Sequence, residues 1–191
     1  MARSDELTLG AMRTLTTSVC TLEPQVEAHA PEMFLVLCDP AIYEFEGMPP
    51  PSVEALAAGY RRKETRRSAD GTEILLNWVV RVPAGDLTGY VQAVVMQDGC
   101  SYVGYEFTSR YWRRGIATAA LCAVFEELRD QYGVNRLVAV LKSVNYRSMG
   151  LLQKLGFVEA LPDSRARFEP EGDETVLLAA FATKYGPNPD E

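Results

Sequence analysis

The chain has 191 residues, 47% hydrophobic and 24% charged, which suits one domain with a real core and argues against disorder beyond the ends. Its net charge of −7 argues against broad nucleic-acid contact, which needs a basic footprint; it would attract an amine-bearing or cationic partner, and equally serves solubility alone. Of the four cysteines, Cys20, Cys38, Cys100 and Cys122, none forms a CxxC pair and the last three fall in apolar stretches, where buried free thiols are the default; with no signal peptide, no apolar run near 18 residues and one histidine (His29) without ligand spacing, the expectation is a reducing, cytoplasmic protein with no metal and no membrane span.

Residues 1–15 read as a flexible tail and 186–191 as another, leaving 16–185 as a single domain. Thr16–Leu22 is rich in β-branched residues and predicts a first strand. Pro24 suits the first position of a helix, and Val26, Ala30, Met33, Phe34 and Leu37 follow at helical spacing until Asp39-Pro40. Tyr43–Pro51 is a loop stiffened by three prolines. Ser52 is an N-cap, and Val53, Leu56, Ala57 and Tyr60 make one apolar face. Arg61, Arg62, Lys63, Arg66 and Arg67 then form either a solvated helix end or a contact patch for tRNA or a phosphate-bearing cofactor.

Ile74–Val82, Leu87–Met96 and Cys100–Phe107 predict an antiparallel meander, with Asp98-Gly99 as a hairpin signal. Gly115–Tyr132 predicts a helix burying Leu121, Val124, Phe125 and Leu128, closed by Gly133. Arg136–Leu141 is a short strand. Asn145 caps a helix carrying Met149, Leu152 and Leu155. Phe157–Leu161 and Thr175–Phe181 are the last strands, free to pair antiparallel. The fold class is mixed α/β (α+β).

The stretch Tyr111-Trp112-Arg113-Arg114-Gly115-Ile116-Ala117-Thr118 hands a strand over to an amphipathic helix. The first amides of a helix lack internal partners and sit in positive potential. Gly115 and Ala117 let a diphosphate approach the backbone, and Arg113 and Arg114 add charge, so the segment is an anion-site candidate. A glycine in such a turn also serves geometry alone. One strand later comes Asn145-Tyr146-Arg147-Ser148, running to Lys154-Leu155-Gly156-Phe157.

In order and spacing this pair resembles the GNAT superfamily of N-acetyltransferases, over about Leu75 to Ala160; the N-terminal half looks like its RimJ/RimL-like branch. The resemblance implies a mainly antiparallel sheet of about seven strands flanked by about four helices, splayed beside Cys100–Phe107, often at a β-bulge. It implies acetyl-CoA as co-substrate, held by Phe107, Thr108, Arg113, Arg114, Gly115, Ile116, Ala117, Thr118, Asn145 and Ser148, with transfer to a primary amine by direct attack on the thioester. Ser148 is then the candidate for hydrogen-bonding or protonating the leaving thiolate, against a plain helix-surface or capping serine. Glu106 is the candidate base or amine anchor, against an ordinary strand carboxylate.

Tyr43, Glu44, Glu46 and Asn77 are candidates for binding a small-molecule or peptide amine, with Phe45 and Trp78 shaping the pocket. Three departures stand out: Arg113 where the branch often has glycine, Trp112 in place of the superfamily's usual Gln or Arg, and Leu152 where many members carry a tyrosine acid. A CoA-binding regulatory module and a toxin acetylating aminoacyl-tRNA remain alternatives, and a homodimer through the C-terminal strands is open.

Overall fold

In a computed structural model of the protein, residues 10–181 are described; the tail segments Met1–Leu7 and Gly186–Glu191 lie outside them. One eight-stranded sheet runs in the order β1 (Leu15–Thr16), β2 (Thr21–Pro24), β3 (Ile74–Arg81), β4 (Leu87–Val95), β5 (Cys100–Phe107), β6 (Arg136–Lys142), β8 (Glu174–Ala180), β7 (Val158–Glu159). Every neighbouring pair is antiparallel except β5 and β6, which are parallel. Five helices flank it: α1 (Ala30–Leu37), α2 (Val53–Lys63), α3 (Ile116–Tyr132), α4 (Tyr146–Lys154) and α5 (Pro162–Ala166). The expected mixed sheet is present, with eight strands for about seven and five helices for about four.

The extra strand has a local cause. The Thr17 hydroxyl accepts from the amides of Val19 and Cys20 and donates to the Cys20 carbonyl, so the chain turns back and Thr16–Leu22 becomes a hairpin rather than one strand. Pro24 closes β2 opposite Trp78 instead of opening a helix; a strand end asks no N–H of it. The helix begins six residues later with Pro31 in its first turn, after a 3₁₀ turn in which His29 Nδ1 accepts from the Val26 amide at 3.2 Å. The short helix α5 had no sequence signal beyond Pro162.

Two apolar layers hold the sheet. On one face α3 and α4 bury Leu121, Val124, Leu128 and Leu152 against Trp78 and Val91; on the other, α1 and α2 bury Met33, Leu37 and Tyr60 against Val79 and Leu87. Removing these side chains from water is the main driving force for the assembly. Trp78 is fully buried, its Nε1 donating to the Arg13 carbonyl at 3.1 Å. Arg13 also pairs with Glu127, so the chain is tied down before residue 16. Cys20 and Cys100 are buried, whereas Cys38 and Cys122 are exposed. Each exposed cysteine follows a buried leucine, Leu37 and Leu121, and the helical turn of about 100° carries it off the core face.

The basic run divides. Arg61 pairs with Glu27, Arg66 donates to the Gly10 carbonyl at 2.7 Å, and Lys63 turns inward, where burial lowers its pKa and the Glu106 charge partly restores it.

Candidate functional site

Strand pairing between β5 and β6 ends at Tyr102↔Val138, while β5 continues to Phe107 and β6 to Lys142. The two strands splay, and a cavity of about 1030 Å³ occupies the gap, lined by Val103–Phe107 on one side and Ala139–Leu141 on the other. The splay is where the resemblance put it, without a bulge on β5: the β4–β5 register is continuous, and the irregularity falls in the β3–β4 ladder, where Val80 faces Gly89 and Arg81 faces Leu87 with Thr88 of β4 left over.

At one end the cavity meets the head of α3. Gly115 is the N-cap residue, in the left-handed region at φ +77°, and a Cβ there would meet nothing within 4 Å. The wall continues through Ile116, Ala117 and Thr118, the first turn of α3, whose amides lack helical acceptors. Arg113 is left-handed too, at φ +62°, which gives a physical reason for glycine to be favoured at that position. Arg113 lines the cavity; Arg114 turns away and stacks over Tyr111, 5.2 Å from the ring centroid.

Across the gap stands the start of α4. Asn145 Oδ1 caps the helix by accepting from the Ser148 amide at 3.1 Å, so a bond from Asn145 to a ligand would come from its NH₂ group. Asn145 and Ser148 both line the cavity. The Asn145 backbone amide itself donates to the Lys142 carbonyl at 2.8 Å. Phe107 lines the wall, and its carbonyl is taken by Trp112 Nε1 at 2.7 Å. Thr108 does not reach the cavity: its hydroxyl donates to Asp39 at 2.7 Å, and the Ser109 amide donates to the same carboxylate at 2.6 Å.

The other end of the cavity is polar and acidic. Glu106 lies on the α1/α2 side of β5; burial raises its pKa, and the Tyr90 hydroxyl and the Lys63 charge only partly offset this. Glu46 is on the wall with its pKa raised, first by burial. Tyr90 and Gln92 complete this region. Tyr43 is behind the wall, its hydroxyl donating to the Leu37 carbonyl at 2.9 Å; burial and then the Glu106 charge push its pKa to about 12. Asn77 is buried on β3 opposite Gln92, so of this cross-strand pair it is Gln92 that reaches the cavity.

Glu44 pairs with Arg147 rather than lining the pocket. The Arg147 guanidinium sits over Trp112, Tyr146 and Phe45 at 4.7, 5.2 and 5.5 Å. One cation thus joins the loop carrying Glu44 and Phe45, the head of α4 and the loop carrying Trp112. Arg147, Tyr90, Gln92 and Tyr105 escaped sequence reasoning, and Lys63 entered it only as part of the basic run. Only Tyr105 carried a signal, because strand alternation sets it on the opposite face from Glu106. Among the described residues, no group of three or more His, Cys, Asp or Glu could hold a metal, and no helix is long and apolar enough to cross a membrane.

No curated protein matches the sequence. Among solved structures, RimL, the ribosomal L7/L12 α-N-protein acetyltransferase in complex with coenzyme A, superposes with a TM-score of 0.74 at 13% identity, over 88% of this chain and 98% of that one. The microcin C7 self-immunity acetyltransferase MccE, in complex with acetyl-CoA and AMP, gives 0.69 at 15% identity over 86% and 94%. An acetyltransferase from Thermus thermophilus gives 0.67 at 18% identity over 88% and 100%. At such identities the likeness is one of fold. The GNAT acetyltransferase domain profile matches residues 20–158, a span that holds the splayed strands, the head of α3 and the cap of α4, and the chain belongs to the GNAT acetyltransferase family.

Proposed function

We propose that the protein is an acetyl-CoA-dependent N-acetyltransferase that moves the acetyl group to a primary amine by direct attack within a ternary complex. The observation that carries this reading is one cavity in the splay, with the first-turn residues of α3, whose amides lack helical acceptors, at one end and Glu106 at the other. Residues Gly115–Thr118 fit a diphosphate, since the first-turn amides of a helix lack internal acceptors and the space beside Gly115 is open. The free edge of β5 beyond Tyr102 offers backbone groups to the pantetheine amides, as an added strand would use them, with Asn145 donating from the opposite side.

The amine must arrive neutral. A lysine-type amine has pKa ~10.4 and an α-amine ~7.7–8.0, so the neutral form at pH 7 costs about 4–5 kcal/mol for the former and about 1 for the latter. Glu106, with a pKa raised by burial, is better matched to accept that proton near neutral pH than an ordinary carboxylate, and Glu46 adds negative charge that draws the ammonium form in. Ser148 hydrogen-bonds the departing sulfur, and a β5 amide receives the oxyanion.

The test is CoA release from acetyl-CoA over amino acids, peptide N-termini, polyamines and aminoglycosides, with wild type and Ser148→Ala. The expected result is turnover with at least one amine class, and a kcat lowered by Ser148→Ala more than KM for acetyl-CoA is raised. Binding of CoA with no turnover on any amine would instead favour a CoA-responsive binding module.

A further inference from the structure

Odd-numbered residues of β5 face α3 and α4, and among them Tyr105 lines the cavity together with Ser148. Its hydroxyl is shielded from solvent and makes no hydrogen bond within the protein, an arrangement that asks for a reason. Burial raises the pKa of that hydroxyl to about 12 even with Ser148 near enough to lower it somewhat, yet the two oxygens fall short of a formed bond. Leu152, on the same helix and at the position where the resemblance would lead one to expect a tyrosine, is buried at 1% exposure and offers no polar group.

We propose that Tyr105 is the positioning residue for Ser148: with acetyl-CoA bound, the Tyr105 O–H donates to Ser148 Oγ and turns the Ser148 proton toward the thioester sulfur. The inference rests on the Ser148 role given above. A serine hydroxyl has one proton and two lone pairs, so it can accept from Tyr105 and donate to sulfur together, and such chains strengthen each bond in turn. Tyr105 is the donor because a neutral phenol O–H is a stronger hydrogen-bond donor than an aliphatic hydroxyl, and because the one Ser148 proton is needed at the sulfur. The ring is fixed by its strand and by Phe107, with centroids 6.3 Å apart.

The step balances without a proton leaving Tyr105. The amine lone pair forms the N–C bond, and the C–S bond breaks with its electron pair kept by sulfur. Glu106 hands the ammonium proton on to solvent water before attack and then takes the surplus amine proton, and the thiolate departs under the Ser148 hydrogen bond, to be protonated in solvent. The hydroxyl missing from α4 is thereby supplied from the strand opposite.

A double-mutant cycle on the full chain tests this with Tyr105→Phe, Ser148→Ala and the pair, scored by CoA release with the amine panel and by acetyl-CoA hydrolysis in water alone, which has the same leaving group. Tyr105→Phe is expected to lower kcat about three- to tenfold, with KM for acetyl-CoA within about twofold and melting temperature unchanged or higher, and to cause no further loss once Ser148 is alanine. Additive losses, or a wild-type kcat in Tyr105→Phe while Ser148→Ala is impaired, would overturn the inference and leave the Ser148 role standing. A wild-type kcat in Ser148→Ala would remove both. Independently of activity, a CoA-bound crystal structure should bring the two oxygens within about 2.6–3.2 Å; a separation beyond about 3.5 Å refutes the proposal.

Discussion

The left-handed pair Arg113 and Gly115 makes the phosphate cradle testable from two directions. At Gly115, φ is +77° and a new Cβ would meet nothing within 4 Å, so Gly115→Ala introduces backbone strain without a clash. An L-residue in that region costs about 1–2 kcal/mol, offset by about 0.4–1 kcal/mol from the stiffer unfolded chain, leaving roughly 0.5–1 kcal/mol of destabilisation. Arg113→Gly, at φ +62°, reverses the sign with a similar size. For a chain of this length each change moves the melting temperature by about 1–4 °C, downward for Gly115→Ala and upward for Arg113→Gly.

Ligand binding separates the two variants again. Relaxation of residue 115 toward negative φ would tilt the first α3 amides away from the anion. Loss of one hydrogen bond to a charged group is worth about 1.5–3 kcal/mol, an increase in CoA Kd of about ten- to a hundredfold. Arg113→Gly keeps the amides and gives up one exposed charge, worth at most about 1 kcal/mol, or about fivefold. Calorimetric melting and CoA titration decide the matter. A Gly115→Ala protein with wild-type melting temperature and wild-type Kd would show that the left-handed cap does not shape the anion site.

Three further substitutions probe the acceptor side. In Glu106→Gln the acidic limb of the kcat/KM profile, which in wild type should lie above the ordinary glutamate value of ~4.3 because burial raises the Glu106 pKa, should flatten. The same raised value means that wild type loses stability as pH climbs from ~4.3 through the folded Glu106 pKa, a loss absent from Glu106→Gln melting curves. Arg147→Ala frees the loop held by Glu44 and Phe45; with the pair partly exposed, melting should fall by only a few degrees, while KM for the amine rises and kcat for bound substrate holds. Gly89→Ala places a Cβ 2.1 Å from the Glu106 carbonyl and 2.8 Å from Phe107 Cα, so β5 must shift; overpacking of about 1–3 kcal/mol should accompany a drop in kcat larger than in variants of equal stability made elsewhere in β4.

The proposed cofactor side can be traced in the sequence because its parts are local. A glycine opening a helix, an asparagine capping another and the order of strand, helix and strand are written within about forty residues, and the structure brings them to one cavity. The acceptor side was less legible because it is assembled across the fold. Lys63 reaches Glu106 from α2 and Tyr90 from β4, meetings that depend on register rather than spacing. Asn77 was a reasonable choice on β3, but its cross-strand neighbour Gln92 is the residue on the wall, one strand nearer the splay. Thr17 defeated the single-strand reading of Thr16–Leu22 because a side-chain turn competes with β propensity. Arg113 looked like a lost glycine and proved to keep the glycine's backbone geometry.

Strand β5 also explains why the chemistry can be divided between two faces. Alternation sends Tyr105 and Phe107 toward α3 and α4, where the thiol would leave, and Glu106 toward α1 and α2, where the amine would arrive. Neighbouring residues are thus separated by the sheet itself, so an acid-side hydroxyl and a base-side carboxylate can sit within one residue of each other without pairing. The opposing environments fit that division: Tyr105 lies in an apolar layer that discourages ionisation, whereas Glu106 has Lys63 and Tyr90 to share its charge. The register that holds this arrangement, Gly89↔Phe107 and Tyr90↔Glu106, depends on glycine where β4 and β5 approach most closely. A slip of one residue would exchange the two faces and leave a carboxylate beside the departing thiolate, where like charge would oppose the reaction.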